Sequence, residues 1–491
     1  MLPRIPHILS RSSRYSRLGN AGPLAIGALL SLSALGACAS VPAKGGLANV
    51  QETARQRLGL RVDWIQGGAE DSVAMAYVDR TLRGVVPVDS AIQLGLLRNK
   101  RLQASFEDLG IAQADLVQAG LFGNPVVSAG KALARGGGTG ILSFGVALPF
   151  IEFLQRPLRQ RVAQQEFAAV GARMGAAVLT LAADIRVAYV EAQAASQMVE
   201  LRRSVTQALD ASAVAAQALY DAGNLADLDL AMERAQAAEA RLMLFRAEGE
   251  EQVARAELER LMGVSGEGSW TLTARLLPPT DSVSVVSALA TTALGRRLDL
   301  RAARNDATAS ARSVGLTRAF ALLPDGTIGA TYERDPDGTF TGGSVSLPIP
   351  LLNRGQSRVA RSRAMLRQAT ARHDALAVEI GAEVRQLSAT LESSRARETH
   401  LRTVVLPLRR QVVTESQKFV NAMALSIFTL LLAKQAEIDA GQAYVDALRD
   451  YWVTRARLER AVGGSFAPLT PQEQLDTDAT AVAPRGLPSP H

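Results

Sequence analysis

The longest pattern of apolar and polar positions lies between Leu158 and Ala222, where no proline occurs. Phe167, Val170, Met174, Ala177, Leu181, Ile185, Ala188, Ala192, Ala195 and Val199 step by threes and fours, the spacing of one helical face. At 1.5 Å per residue this stretch makes a rod of roughly 100 Å. A rod that long cannot bury its stripe in a globule and needs partner rods, as in a coiled coil. The pattern predicts a second rod over Ser357–Val420, locally kinked by Pro407. Both rods turn back. The first turn runs Tyr220-Asp221-Ala222-Gly223-Asn224-Leu225-Ala226-Asp227-Leu228-Asp229. Gly223-Asn224 suits a left-handed helix end, and Asp227 is placed to cap the returning helix. The second turn, Asn421 to Phe428, has no glycine and is expected to use Asn421 or Ser426.

Ahead of each rod the period changes to two. Helical spacing over 88–121 stops at Gly123-Asn124-Pro125. Two segments follow, 124–133 and 140–149, around Gly136-Gly137-Gly138. The second puts Leu142, Phe144, Val146 and Leu148 on one face and Ser143, Gly145 and Ala147 on the other. The later counterparts are 323–332 and 340–350, joined at Asp335-Pro336-Asp337-Gly338. About ten residues is the length of a tilted strand crossing a bilayer; a soluble hairpin covering a helix bundle gives the same alternation.

The two patterns are copies. Arg255-Ala256-Glu257-Leu258-Glu259-Arg260-Leu261-Met262-Gly263 matches Arg455–Gly463 at six of nine positions in a register of 200. Leu148-Pro149 matches Leu347-Pro348 at 199, and Leu225, Leu228 and Leu230 meet Leu425, Phe428 and Leu430. This predicts two homologous halves, 87–265 and 285–465, joined by a linker over 266–284. A tail over 466–491, rich in proline and Asp, is expected to be disordered.

The N-terminus reads as an address. Residues 1–20 are basic and polar, and Ala21 to Ala37 are apolar, the layout of a secretory signal. Leu35-Gly36-Ala37-Cys38 resembles the bacterial lipobox. That resemblance implies cleavage after residue 37, acyl chains on Cys38 and, with Ala39 following, an outer-membrane destination for a lipid-anchored periplasmic segment over 38–86. Beyond residue 38 no uninterrupted apolar run reaches 18 residues, so no transmembrane helix is expected and any crossing must use β-strands.

Composition narrows the chemistry. The chain is 47% hydrophobic but 4% aromatic, which suits long helices and argues against stacking on nucleic acid. Removing Arg4, Arg11, Arg14 and Arg17 with the signal takes the formal +7 to +3, so no nucleic-acid partner is expected. Cys38 is the only cysteine, and His7, His373, His400 and His491 have no ligand-like neighbours. No enzyme, metal site or cofactor is expected beyond the lipid on Cys38. Four strands per chain cannot close a barrel, so copies must share edges; two would give eight strands and three would give twelve.

Four further stretches carry a resemblance to the TolC-type outer-membrane factor family: Gln118–Pro125, Tyr220–Asn224, Leu347–Gln356 and Ala447–Trp452. It implies a mainly α chain with a small β part, whose long antiparallel helical hairpins form an α-barrel. Its four strands would enter a trimeric, twelve-stranded transmembrane β-barrel. It implies a homotrimer acting as the passive exit duct of a tripartite efflux system, with a periplasmic adaptor and a proton-driven inner-membrane pump as partners. Tyr220, Gly223, Leu225, Asp227 and Leu228, with Leu425, Ser426 and Phe428, would be the adaptor contacts. Ser426 departs from the family's usual glycine. Asp221, Asp227 and Asp229 are candidates for an acidic ring at the pore entrance, or for a solvated turn. Asn353-Arg354-Gly355-Gln356 resembles members serving heavy-metal efflux. The competing reading is a periplasmic adaptor lipoprotein, which would have one helical hairpin and no duplication.

Overall fold

The computed structural model describes residues 40–68, 71–133, 140–264, 266, 269–273, 275–279, 286–335 and 337–464. The signal segment, Cys38 and the tail lie outside them. The chain divides into a unit ending at Val41 and one beginning at Pro42; the fold is that of the second.

Two short helices, α1 (Leu47–Leu58) and α2 (Asp71–Thr81), precede a strand, β1 (Val85–Val86). The first half then runs α3 (Val88–Arg98), α4 (Lys100–Gly120), β2 (Val126–Ala132), β3 (Ile141–Leu148), α5 (Phe150–Asp221) and α6 (Asp227–Met262). After β4 (Thr271–Leu272) the second half repeats it: α7 (Val286–Arg296), α8 (Leu298–Ala319), β5 (Thr327–Arg334), β6 (Thr339–Ser346), α9 (Gln356–His400), a π-helical turn (Leu401–Val405), α10 (Leu406–Asn421) and α11 (Ile427–Val462). The 72 residues of α5 reach about 110 Å, and α4, α6, α8 and α11 pack along it.

Several expectations are corrected. The helix expected over 88–121 is two helices. Asn99 breaks it in extended conformation, accepts from the backbone N–H groups of Arg101 and Leu102, and donates to Leu261 O at 2.9 Å. The first rod starts at Phe150 and runs through Pro157. One missing N–H is tolerable there because side chains pin the first turns: Arg156 Nε donates to Gly120 O at 2.6 Å and Gln155 Nε2 to Pro324 O at 2.9 Å. The third strand begins at Thr327 and not at Leu323, because Pro324 cannot join a ladder. An 18-residue window of α5 has mean hydropathy 1.4 and is 44% buried. Among the described residues one helix is therefore long and apolar enough to cross a membrane by length and composition, although no uninterrupted apolar run in it reaches 18 residues; its alanines raise the mean while helices pack along it.

The duplication carries into the packing. Gly263 and Gly463 end α6 and α11 at φ 71° and 89°. A Cβ on either would lie 2.8–3.0 Å from backbone atoms of Arg98 or Arg296, the last residues of α3 and α7. Opposite Asn99 stands Arg297, which donates to Ala461 O at 3.3 Å and pairs with Asp299 and Glu383. Along the rods, fully buried Ile185, Ala192 and Val199 correspond to Val384, Leu391 and Glu398, a register of 199. At the turns the register is 200. The π turn lies between, and a π turn is one residue inserted into an α-helix; Leu406 N–H bonds to Leu401 O. Pro407 follows directly, so the expected loosening takes this form.

The N-terminal segment locks both halves. Arg57 Nη1 donates to Arg296 O at 2.7 Å and Gly463 O at 2.8 Å. Parallel pairing of β1 with β4 is held from α5: Tyr189 Oη donates to Val86 O at 2.8 Å, and Gln193 Nε2 donates to Thr273 O at 2.8 Å. Trp64, Phe106, Tyr189 and Trp270 fill the core at this level. Towards the turns burial fades, and none of α10 is buried.

Candidate functional site: an open sheet and two helical turns

Four strands form one antiparallel sheet in the order β2-β3-β5-β6. The helices enter and leave at one end, and both hairpin connections lie at the other. Register sorts the side chains. Val127 pairs with Val146 and Ala330, Ala129 with Phe144 and Tyr332, and Leu148 with Ile328 and then Val345. That face is apolar. The opposite face carries Ser128, Gly130, Ser143, Gly145, Gly329, Thr331, Gly342 and Ser344 and is mostly small and polar, with Val126, Ile141 and Phe340 towards its two ends. The apolar face is not covered: Phe144, Val146, Ile328 and Val345 are all exposed. Strands β2 and β6 are open edges of unpaired backbone groups, which proteins rarely leave unmanaged.

At the sheet–helix junction Phe122 stacks on Phe153 with centroids 4.6 Å apart, and the Arg156 guanidinium lies 4.3 Å over the Phe122 ring. Ile349, Leu351 and Leu352 are exposed nearby in sequence, after β6.

The turns at the far end of the rods share one hydrogen-bond pattern. Asn224 N–H reaches back to Leu219 O and Gly223 N–H to Tyr220 O; Ala424 N–H reaches back to Phe419 O and Met423 N–H to Val420 O. This doubled closure needs a left-handed residue. Gly223 supplies it at φ 78°, and Met423 at φ 56°. The expectation that Asn421 or Ser426 would do so is corrected: position in the motif, and not residue preference, decides, at a cost of about 1–2 kcal/mol for a side chain there. Met423 was missed by sequence reasoning. The 200-residue register onto Gly223 was the signal that could have found it.

The structure separates the proposed contact residues. Gly223, Asp227, Leu228 and Ser426 are exposed, Leu225 and Leu425 half-buried. The backbone of Phe428 lies in the first turn of α11. Asp227 is not the cap expected of it: Ala226 precedes the helix without a side-chain cap, and Asp227 is its first residue. Its carboxylate instead takes a hydrogen bond from Tyr220, which raises the phenol above its ordinary value, with the Asp227 charge adding to the effect. Asp221 accepts from Gln217 Nε2 at 2.7 Å, and Gln217 accepts from Arg234. These contacts clamp α5 to α6. Asp229 is half-buried and lines a cavity of about 540 Å³ with Arg202, Met232, Glu233, Leu431 and Leu432, apart from exposed Asp221 and Asp227. Among the described residues no group of three or more His, Cys, Asp or Glu is placed to hold a metal ion.

No family model matches the sequence, and no curated protein sequence does. Solved structures do match. CusC, described in terms of folding and transmembrane channel formation, superposes with a TM-score of 0.66 at 16% identity, over 77% of this chain and 92% of that one. The outer-membrane protein VceC of Vibrio cholerae gives 0.64 at 19%, over 80% and 98%. The CmeC outer-membrane channel of Campylobacter jejuni gives 0.64 at 15%, over 85% and 94%. At these identities the likeness is one of fold. The chain has the TolC-type outer-membrane-channel fold, mainly α with a small β part.

Proposed function

We propose that this protein is an outer-membrane channel of the TolC-type outer-membrane factor family, the passive exit duct of a tripartite efflux system. The observation that carries the reading is the sheet: four strands, two open edges, and an apolar face without cover. A membrane leaves no water for such edges, so copies must join edge to edge, β6 of one to β2 of the next. Three copies give twelve strands, wide enough for a lumen, where eight leave an interior filled by side chains. The small polar face then lines the pore and the apolar face meets lipid. The rods support the same closure. Leu228, Met232, Leu242, Phe245 and Val253 on α6, and Leu408, Val412 and Phe419 on α10, are exposed, and copies joined through the sheet would cover them. The adaptor alternative has one helical hairpin, whereas this chain has two, α5–α6 and α10–α11.

On this reading the two turns are the periplasmic tip, with Tyr220, Gly223, Leu225, Asp227, Leu228, Leu425, Ser426 and Phe428 meeting an adaptor linked to a proton-driven inner-membrane pump. Acylated Cys38 anchors the chain. The cargo is small molecules or metal ions, and the likeness of Asn353–Gln356 to heavy-metal systems favours the latter. Detergent-purified protein should run as a trimer and conduct ions in a planar bilayer; a monomer without conductance would overturn the proposal. Cys38→Ser should abolish lipid labelling, and retained label would remove the anchor.

A further inference from the structure

The sheet holds only three charged residues among its described strand positions: Lys131, Glu333 and Arg334. Register sorts them. Lys131 pairs with Leu142, and Leu142 with Arg334, so both cations stand in one row of the apolar face. Glu333 pairs with Ser143 and points to the opposite, polar face. All three are exposed, and no side-chain hydrogen bond or ion pair joins Lys131 or Arg334 to another described residue. Two like charges in a row, with uncharged side chains alone around them on that face, Thr339 and Thr341 included, call for an outside anion.

The vertical order of the face says which kind. From the helix end towards the hairpin connections come Leu148–Ile328, then Val127–Val146–Ala330, then Phe144–Tyr332 with ring centroids 6.4 Å apart, then Lys131–Leu142–Arg334. Apolar rows, an aromatic row and a basic row follow the profile of a bilayer from hydrocarbon to headgroup. A Lys or Arg facing lipid is penalised at the midplane and nearly free at the interface. Here both occupy the last row before the connections. They are two strand spacings apart, about 10 Å, within reach of one headgroup for two long side chains that extend their charged ends to the interface.

Resting on the channel reading above, we propose that Lys131 and Arg334 form a binding site for phosphorylated lipid headgroups of the leaflet at the hairpin-connection end. The phosphate is the anion that removes their mutual repulsion. Its partner is a lipid and not free phosphate, because the site faces hydrocarbon on one side. In the closed barrel it recurs once per chain.

The test uses the full-length protein, reconstituted in phosphatidylcholine vesicles with or without phosphatidic acid, with bound lipid counted by native mass spectrometry. A basic side chain near an anionic membrane surface is worth about fivefold in binding. Lys131→Gln with Arg334→Gln should therefore lower phosphatidic acid retention about 25-fold. Glu333→Gln, at the same level on the other face, should leave retention unchanged, and inorganic phosphate should fail to displace the lipid. Undiminished retention in the double variant, with conductance intact, overturns the site and leaves the channel standing. Displacement by inorganic phosphate overturns the lipid assignment. Failure of the wild-type protein to insert into either vesicle overturns the channel reading and the site with it.

Discussion

Arg57 joins parts of the chain more than two hundred residues apart, and Arg57→Met should unlock them. One guanidinium nitrogen reaches the carbonyls of Arg296 and Gly463, at 2.7 and 2.8 Å. Both lie where helices end and carbonyls have no intrahelical donor. The cation also faces the negative ends of two helix dipoles. A hydrogen bond from a charged donor contributes about 1.5–3 kcal/mol. One nitrogen serves both acceptors and Arg57 is half-exposed, so water recovers part of the loss. About 2 kcal/mol is the expected cost, a factor of about 30 in local opening. Hydrogen–deuterium exchange should accelerate by that factor at the α7–α8 break and at the end of α11, while the turns at 222–226 and 422–426 keep their rates. Arg57→Lys should recover part of the protection. Unchanged exchange at both helix ends in Arg57→Met would refute the idea that this side chain fastens the N-terminal segment to the second half.

Gly463→Ala should destabilise by at least 2 kcal/mol, since it adds left-handed strain of about 1–2 kcal/mol to a backbone contact at 3.0 Å; thermal unfolding should show it, and Gly263→Ala should behave alike. Met423→Gly should raise tip protection by relieving the same strain, less the roughly 0.5–1 kcal/mol entropic cost of glycine; lower protection would show that Met423 is not strained. Tyr220 holds its proton more tightly when folded because it donates to Asp227. Its contribution is present below the ordinary tyrosine range and lost as pH rises through the raised value, so Tyr220→Phe should remove the alkaline step in exchange at the first tip. Val146→Arg, on the middle rows of the apolar face, should block membrane insertion at about 2–4 kcal/mol, whereas Ser143→Arg on the polar face should insert and alter conductance.

Much of this architecture was legible because it is periodic. Rods, strands and duplication are each a repeated spacing, and a repeated spacing survives without tertiary information. What escaped depends on contacts between distant segments. Asn99 looks like any helix residue until Leu261 O is placed beside it. Pro157 reads as a boundary until Arg156 and Gln155 are seen pinning the turns around it. The segment before residue 87 yielded no elements, although Trp64 and Arg57 belong to the centre of the molecule; its helices are short and their stripes meet α5 only in three dimensions. At the candidate site, alternation exposed the apolar face of β3, but only the pairing of four strands put Lys131 and Arg334 in one row. The turns were located correctly and their chemistry only half so, since a methionine in the left-handed region has no sequence signature of its own.

The π turn at Leu401–Val405 works as a phase corrector. One residue added to a regular α-helix would swing everything after it by about 100°. Closing one ring a residue wider, from Leu406 N–H back to Leu401 O, takes up the extra residue locally. The second rod therefore arrives at its turn with Met423 standing where Gly223 stands in the first, and two arms of unequal residue count end in equivalent tips.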